Sequence, residues 1–251
     1  YTMRVAVISD THGNLYALDA VLADIDATGP FDEVIMAGDF AFGGPFPAEC
    51  VERIRERGYR AVRGNTDEFI VEVATDGARP SGATEAQRHG PAQTAIDRWV
   101  ADRLTAEQVE YLAGLPLSLT VPDERGEALT VVHATPWSSH DVLSPDAPEE
   151  LVARVLDAAG TAAVGYGHIH VQYQRRLDGR LIAAVGTIGL PFDGDQRAGY
   201  AVFTSGVDGW SVEFRRVAYD VDAAIEATLR SGVPNAEGFA TVLRTARPAG
   251  A

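Results

Sequence analysis

Hydrophobic and polar positions along this chain follow two periods in turn. Val5-Ala-Val-Ile-Ser9 is apolar up to its last residue and reads as a buried central strand. Leu15-Tyr-Ala-Leu-Asp-Ala-Val-Leu-Ala23 then returns apolar residues at helical spacing, and Gly29-Pro30 ends that helix. The alternation continues. Asp32 to Asp39 supplies a second strand, and Phe40 to Pro47 a turn-rich loop. Ala48 to Arg57 is an amphipathic helix with Glu52, Arg53, Arg55 and Glu56 on its charged face, capped by Gly58. Tyr59 to Asn65 is a third short strand.

Residues 76–90, rich in Gly, Ala, Ser, Thr and charge, read as a mobile surface insertion. Thr94 to Ala113 reads as helix, with Thr105-Ala-Glu-Gln108 shaped as a capping box that starts a second helix inside it. Leu115 to Val121 and Ala128 to His133 form a hairpin through Pro122 to Gly126, and a polar loop from Trp137 to Pro148 precedes a helix over Glu149 to Ala159. Thr161 to His170 is a further strand. Arg180 to Gly186, Gly199 to Phe203 and Val212 to Val217 read as strands of a meander, followed by a helix from Val221 to Arg230. The expected architecture is α/β, a single domain over residues 3–246 with a helical insertion around 76–113; Tyr1 and Thr2, ahead of Met3, are expected to be an expression remnant.

Composition narrows the function classes. A net charge of −15 and a pI near 4.7 argue against duplex nucleic acid or an anionic membrane surface held by a general electrostatic field. A small phosphorylated substrate stays open, because bound divalent cations reverse the field locally. Cys50 is alone, so no intrachain disulfide framework and no cysteine-rich zinc site is expected. No apolar run reaches the ~18 residues of a membrane span, and no basic segment precedes an apolar one as in a secretory signal. The expected compartment is the cytoplasm.

The chemistry lies where the apolar strands end. Asp10 with His12, Asp39, Asn65, His133, and His168 with His170 close five of them, on the loops where open α/β sheets gather ligands. If the segment after the first strand is extended, Asp10 and His12 point the same way. Each residue alone has a bland explanation: Gly38-Asp39 closing a turn, Asn65 in a left-handed position after Gly64, a strand-end histidine on a carbonyl. Seven together are a ligand set. Carboxylate, imidazole and amide oxygen without thiolate suit Mn, Fe, Zn, Co or Ni rather than a closed structural zinc. Seven exceed the need of one ion and suit two, which at ~3.5–4 Å separation clamp an in-line displacement at phosphorus.

These residues resemble the ordered motifs of the calcineurin-like metallophosphoesterases: Asp10-x-His12, Gly38-Asp39, Gly64-Asn65, His133 and Gly167-His168-x-His170. Gly43-Gly-Pro-x-Pro-x-Glu-Cys50 and Gly189-Leu-Pro-x-Asp-Gly-Asp195 are similar to the smaller bacterial and archaeal phosphodiesterase branch. The resemblance implies a four-layer α/β/β/α sandwich of two mixed sheets between helices. It implies that Asp10, His12 and His170 hold one ion and Asn65, His133 and His168 the other, with Asp39 bridging and Asn65 also facing the substrate phosphate. The implied activity is hydrolysis of phosphodiesters or activated phosphomonoesters by direct attack of metal hydroxide. The rivals are a non-catalytic protein-binding scaffold of the same fold and a nucleotide sensor without turnover.

Three departures stand out. Thr66 occupies the place where many members carry histidine, a candidate proton donor, although the acidic Asp67 follows as in the family. Ala183-Ala-Val-Gly-Thr187 replaces a more polar turn near the phosphate, and Ala134 follows His133 where glycine is commoner. Arg63, Thr66, Trp137 and His140 are candidate substrate contacts, His89 is expected to be solvated, and Phe40, Phe42 and Phe46 either wall the pocket or pack against the neighbouring helix.

Overall fold

A computed structural model describes residues 2–248. The first strand, β1 (Arg4–Ile8), is buried on both faces, as its unbroken apolar run requires. It pairs in parallel with β2 (Glu33–Met36), which pairs in parallel with β3 (Arg60–Ala61). On its other side it pairs antiparallel with β9 (Ala198–Gly206), the partner of β10 (Gly209–Val217), giving the sheet order β10-β9-β1-β2-β3. The second sheet has the order β4-β5-β6-β8-β7, from β4 (Ser118–Pro122), β5 (Ala128–Val132), β6 (Ala163–Tyr166), β7 (Gln172–Leu177) and β8 (Arg180–Val185). Its centre, β5, β6 and β8, is parallel, and both of its edges are antiparallel.

Side-chain alternation sorts the layers. Val5 and Val7 face the second sheet and meet Leu129, Val131, Leu181 and Ala183, whereas Ala6 and Ile8 face helices. Those helices are α1 (Leu15–Thr28), α2 (Pro47–Glu56) and α3 (Asn65–Ala74), which bury Leu18, Val21, Leu22, Val51, Ile54 and Ile70 against the outer face of the first sheet. α6 (Glu149–Ala159) covers the second sheet with Val152, Val155 and Leu156. Helix, sheet, sheet, helix is the four-layer sandwich that the motifs imply. Among the described residues no helix is long and apolar enough to cross a membrane.

Several local expectations need correction. α3 was not foreseen, because its apolar residues Phe69, Ile70, Val71 and Val73 are a nearly continuous and partly β-branched run that carries no clear helical period. The helical stretch expected over 94–113 divides at its capping box, as read from the sequence, into α4 (Pro91–Ala101), which starts three residues earlier than expected, and α5 (Ala106–Ala113), which Thr105 caps by accepting from the Gln108 N–H at 3.2 Å. The insertion expected to be mobile is tied down: the Ser81 and Gly82 N–H groups donate to Glu72 and Glu68, and Arg88 pairs with Glu72. The expected meander is divided between sheets, since β8 joins the second and β9 and β10 the first. β7 is an edge strand whose polar Gln172, Gln174 and Arg176 hid it. Beyond α7 (Val221–Ser231) the chain forms α8 (Ala236–Thr245), whose Phe239, Ala240 and Leu243 pack on Ala224 and Ile225.

Candidate metal centre

The five predicted strand ends converge. Asp10 and His12 leave β1, Asp39 leaves β2, Asn65 follows β3 as the first residue of α3, His133 directly follows β5, and His168 and His170 leave β6. The loops are bonded to one another past the strand ends: Asp10 N–H donates to Gly38 O at 2.9 Å, His12 N–H to Asp39 O at 3.1 Å, and Gly167 N–H to His133 O at 2.9 Å. Asp10 and His12 do not sit in extended backbone, as expected from their spacing. Asp10, His12, Asp39, His168 and His170 all have φ between +48° and +67°, a region that costs non-glycine residues about 1 kcal/mol or more each. The bonded loops hold them there.

The glycines before the ligands are required by close approach. A Cβ on Gly64 would lie 2.0 Å from Asp39 Oδ1, and one on Gly167 would lie 2.0 Å from Ser9 Oγ. The Gly-Asn and Gly-His pairs therefore record how tightly the strand ends crowd together.

Three of the histidines are aimed by the backbone. Nδ1 of His12, His133 and His170 lies 2.8, 2.7 and 2.6 Å from the carbonyls of Phe42, Ala37 and Leu190. A carbonyl only accepts, so each Nδ1 carries the proton and each neutral ring turns an Nε2 lone pair inward. The inward atoms then crowd. His12 Nε2 and His170 Nε2 are 3.1 Å apart, and His133 Nε2 lies 2.9 Å from Asn65 Oδ1 and 3.2 Å from His168 Nδ1. Asp10 Oδ1, 3.1 Å from His170 Nε2, is buried without a hydrogen-bond donor. Asp39 stands between the two groups, Oδ2 at 3.6 Å from His12 Nε2 and Oδ1 at 3.6 Å from His133 Nε2. Acceptor facing acceptor is unfavourable unless a cation lies between, so the donor set fits divalent metal. The geometry groups Asp10 with His12 and His170, and Asp10 and Asp39 with His133.

Electrostatics agree. Burial raises the Asp10 carboxyl, but His170 and His12 overcome this and hold it well below the usual carboxylate range. Burial opposes charge on His12 and His133, and the carboxylates of Asp10 and Asp39 overcome it and raise both. His168 goes the other way, down to about 4, through burial and the neighbouring His133. The ion pairs of Asp10 and Asp39 among the described residues are with histidines alone. Positive charge is wanted at the centre, and among the described residues no arginine pairs with either carboxylate.

Asp67, noted in the sequence only as the acidic residue after Thr66, is a structural keystone. Its carboxylate accepts the N–H groups of Asp39, Phe40 and Gly64 at 2.9, 3.0 and 2.8 Å, and so fastens the Asp39 loop to the start of α3. Burial and the charge of Asp39 push it up to about 6 despite those donors. Asp67→Ala leaves three buried N–H groups without an acceptor, at about 1–3 kcal/mol for each lost partner. It is expected to lower stability by about 3 kcal/mol or more, read as a lower denaturation midpoint at unchanged slope.

The candidate substrate contacts divide. The Thr66 N–H donates to Asp39 Oδ1 at 3.0 Å, while its buried hydroxyl has no partner. His140 Nε2 lies 2.9 Å from Glu68, which also takes Arg63 Nε at 2.7 Å. Burial raises the Glu68 carboxyl, but His140 and the Gly82 N–H overcome it and hold it at about 2. Trp137 donates Nε1–H to Asp141 at 2.8 Å and stacks under Arg154, so it too is engaged away from the ligands. His89 is not solvated: it stacks on Phe69 at 4.0 Å and bonds to the buried Asp97 at 2.8 Å. Phe40 is core, edge-on to Tyr111, and Phe46 packs on Tyr16, whereas Phe42 sits against His12. Thr187, noted in the sequence only as the end of a departing turn, donates its hydroxyl to Asp10 O at 2.8 Å, and Phe192, which sequence reasoning missed, stacks on His170 at 4.4 Å. Phe192 lies inside the quoted Gly189 to Asp195 motif, where aromatic content was the available signal.

Residues 3–206 match the family model of the calcineurin-like phosphoesterase superfamily domain. The uncharacterized protein MJ0912 of Methanocaldococcus jannaschii is 28% identical over 246 residues, 92% of this chain and 93% of the relative. Among solved structures, a metallophosphoesterase from Sphaerobacter thermophilus superposes with TM-score 0.76 at 29% identity, covering 98% of this chain and 100% of that one. The hypothetical protein PH1004 from Pyrococcus horikoshii OT3 has TM-score 0.81 at 19% identity with the same coverage, a likeness of fold. With the motif order, the sandwich and the converging ligands already described, the chain belongs to the calcineurin-like phosphoesterase superfamily.

Proposed function

We propose that this protein is a dinuclear metal-dependent phosphoesterase acting on phosphodiesters or activated phosphomonoesters of small molecules. The observation that carries this reading is the set of inward Nε2 lone pairs and carboxylate oxygens around Asp39, a geometry that bound divalent cations would relieve. Asp10, His12 and His170 would hold one ion, Asn65, His133 and His168 the other, and the Asp39 carboxylate would reach both. Such a pair supplies charge to neutralise phosphoryl oxygens and acidifies water toward neutral pH. The chain orients that chemistry: the three carbonyls fix the imidazole tautomers, and Asn65, the first residue of α3, presents its amide beside the N-terminus of that helix, where anions are favoured.

Thr66 gives the reading a kinetic signature. A positioned acid is worth about 10²–10⁴-fold for a poor leaving group, and a threonine hydroxyl does not donate usefully near neutral pH. His140 is committed to Glu68 and almost fully buried, so it does not replace the missing imidazole. Log kcat/KM is expected to fall steeply with rising leaving-group pKa under chemistry-limited conditions. The slope should be unchanged in His140→Ala and flatter in Thr66→His. A shallow slope in the unmodified protein that steepens in His140→Ala would assign the acid to His140.

The direct test is a panel of phosphodiesters and monoesters offered to demetallated protein reloaded with Mn, Ni, Mg or Zn. Chelator-sensitive hydrolysis is expected. Absence of turnover across the panel with metal bound would favour a scaffold or a sensor of the same fold.

A further inference from the structure

An apolar cavity of about 180 Å³ is lined by Phe42, Leu190 and Phe192, the residues that bond to or stack on His12 and His170. Ile96 of α4 and Phe239 and Val242 of α8 complete its apolar lining. None of its lining residues carries a charge. Its inner wall and the ligand frame are the same residues. The Phe42 carbonyl accepts from His12 Nδ1, and its ring meets the His12 ring edge-on at 6.4 Å. The Leu190 carbonyl accepts from His170 Nδ1, and the Phe192 ring lies 4.4 Å from the His170 ring at an interplanar angle of 20°. Anything occupying the cavity is therefore one side chain away from two candidate ligands.

Shape and lining select the occupant. A cavity of roughly 150 Å³ lined by apolar side chains accepts benzene, so this one has room for a single ring and little more. Aromatic walls favour a flat partner, by about 0.5–1.5 kcal/mol beyond burial. Phe42, Leu190 and Phe192 remain half-buried at the cavity although each is large and apolar. The wider cavity of about 390 Å³ beside α3 and α4 is different: it is lined by Glu72, Arg88, His89 and Asp97, which already pair with one another.

We infer that this cavity holds the aromatic ring of a ring-bearing phosphoester, an aryl or heteroaryl ester, while its phosphoryl group lies at the metal centre. The inference rests on the phosphoesterase reading and adds a substrate class to it. The ring enters uncharged, since nothing in the lining answers a charge. Esters carrying only a short alkyl group leave the cavity unfilled and bind through the phosphoryl group alone.

Metal-loaded protein titrated calorimetrically with phenylphosphonate and methylphosphonate isolates the ring, because both share one head group and neither is hydrolysed. Phenylphosphonate is expected to bind at least about tenfold more tightly. Ile96→Phe and Val242→Phe fill the cavity from two separate helices and touch no candidate ligand. Each is expected to reduce the preference to within about threefold while methylphosphonate affinity holds. Equal affinity of the two phosphonates for the unmodified protein, failure of both to bind, or a preference intact in both filled variants would overturn the proposal. The same preparations assayed on the ester panel separate the two claims. Turnover without any ring preference refutes the cavity's role and leaves the phosphoesterase standing, whereas metal-loaded protein that turns over no ester refutes the phosphoesterase reading itself.

Discussion

Replacing Asp39 with asparagine is expected to lower both bound metal and kcat/KM, the rate by well over about 10²-fold, beyond the 10–100-fold typical of residues that only orient a ligand. The substitution is nearly isosteric, and asparagine tolerates the φ of +61° found there, so the fold should survive. The loss is one charge at the point where Oδ2 faces His12 and Oδ1 faces His133. An amide presents one oxygen and one N–H group, so it cannot serve both sides. His140→Ala is the comparison, since His140 touches Glu68 rather than a ligand, and its metal content should match that of the unmodified protein. Elemental analysis with steady-state kinetics on both variants checks the pair. Two ions and full activity retained in Asp39→Asn would show that Asp39 does not span the site.

Removal of metal is expected to abolish turnover and to destabilise the fold. His12 Nε2 and His170 Nε2 face each other at 3.1 Å, and the buried Asp10 Oδ1 has no hydrogen-bond donor, so like atoms are left opposed wherever no cation separates them. Part of this repulsion is relieved by protonating imidazoles, which is weaker and pH-dependent compensation. An ion at 1,000 times its dissociation constant stabilises the native state by about 4.1 kcal/mol. At the 2–4 °C per kcal/mol usual for a domain of this length, that is roughly 8–16 °C in Tm. Chelation followed by thermal unfolding and an activity assay, then readdition of Mn, reads both effects together. Full activity and an unchanged Tm after exhaustive chelation would mean that the converging side chains serve packing alone.

The candidate ligand set was legible because its signal is local. A buried strand shows as an unbroken apolar run, and a polar residue directly after it, preceded by glycine in Gly38-Asp39, Gly64-Asn65 and Gly167-His168, has few structural uses. Elements whose order depends on distant partners were not legible. α3 holds its β-branched residues in a helix because Asp67 closes its first turn and α4 and α5 pack along it. β7 is polar because an edge strand faces water, and α8 has an apolar face only in relation to α7. Likewise His89 looked free in a Gly-rich segment, yet Phe69 and Asp97 enclose it.

What the sequence by itself determined is the chemistry on offer: seven oxygen and imidazole donors in a fixed order, an acidic chain with one cysteine, and threonine in place of a proton donor. What only the tertiary structure decided is how those donors point. Strand pairing put β8 beside β6 rather than beside β9, and loop crowding drove five of the candidate ligand residues into left-handed backbone. Carbonyls 30, 96 and 20 residues away chose which nitrogen of His12, His133 and His170 faces the centre. The reason is physical: a side chain's donor atoms are a property of its residue, but its tautomer, rotamer and charge belong to whatever the fold packs against it.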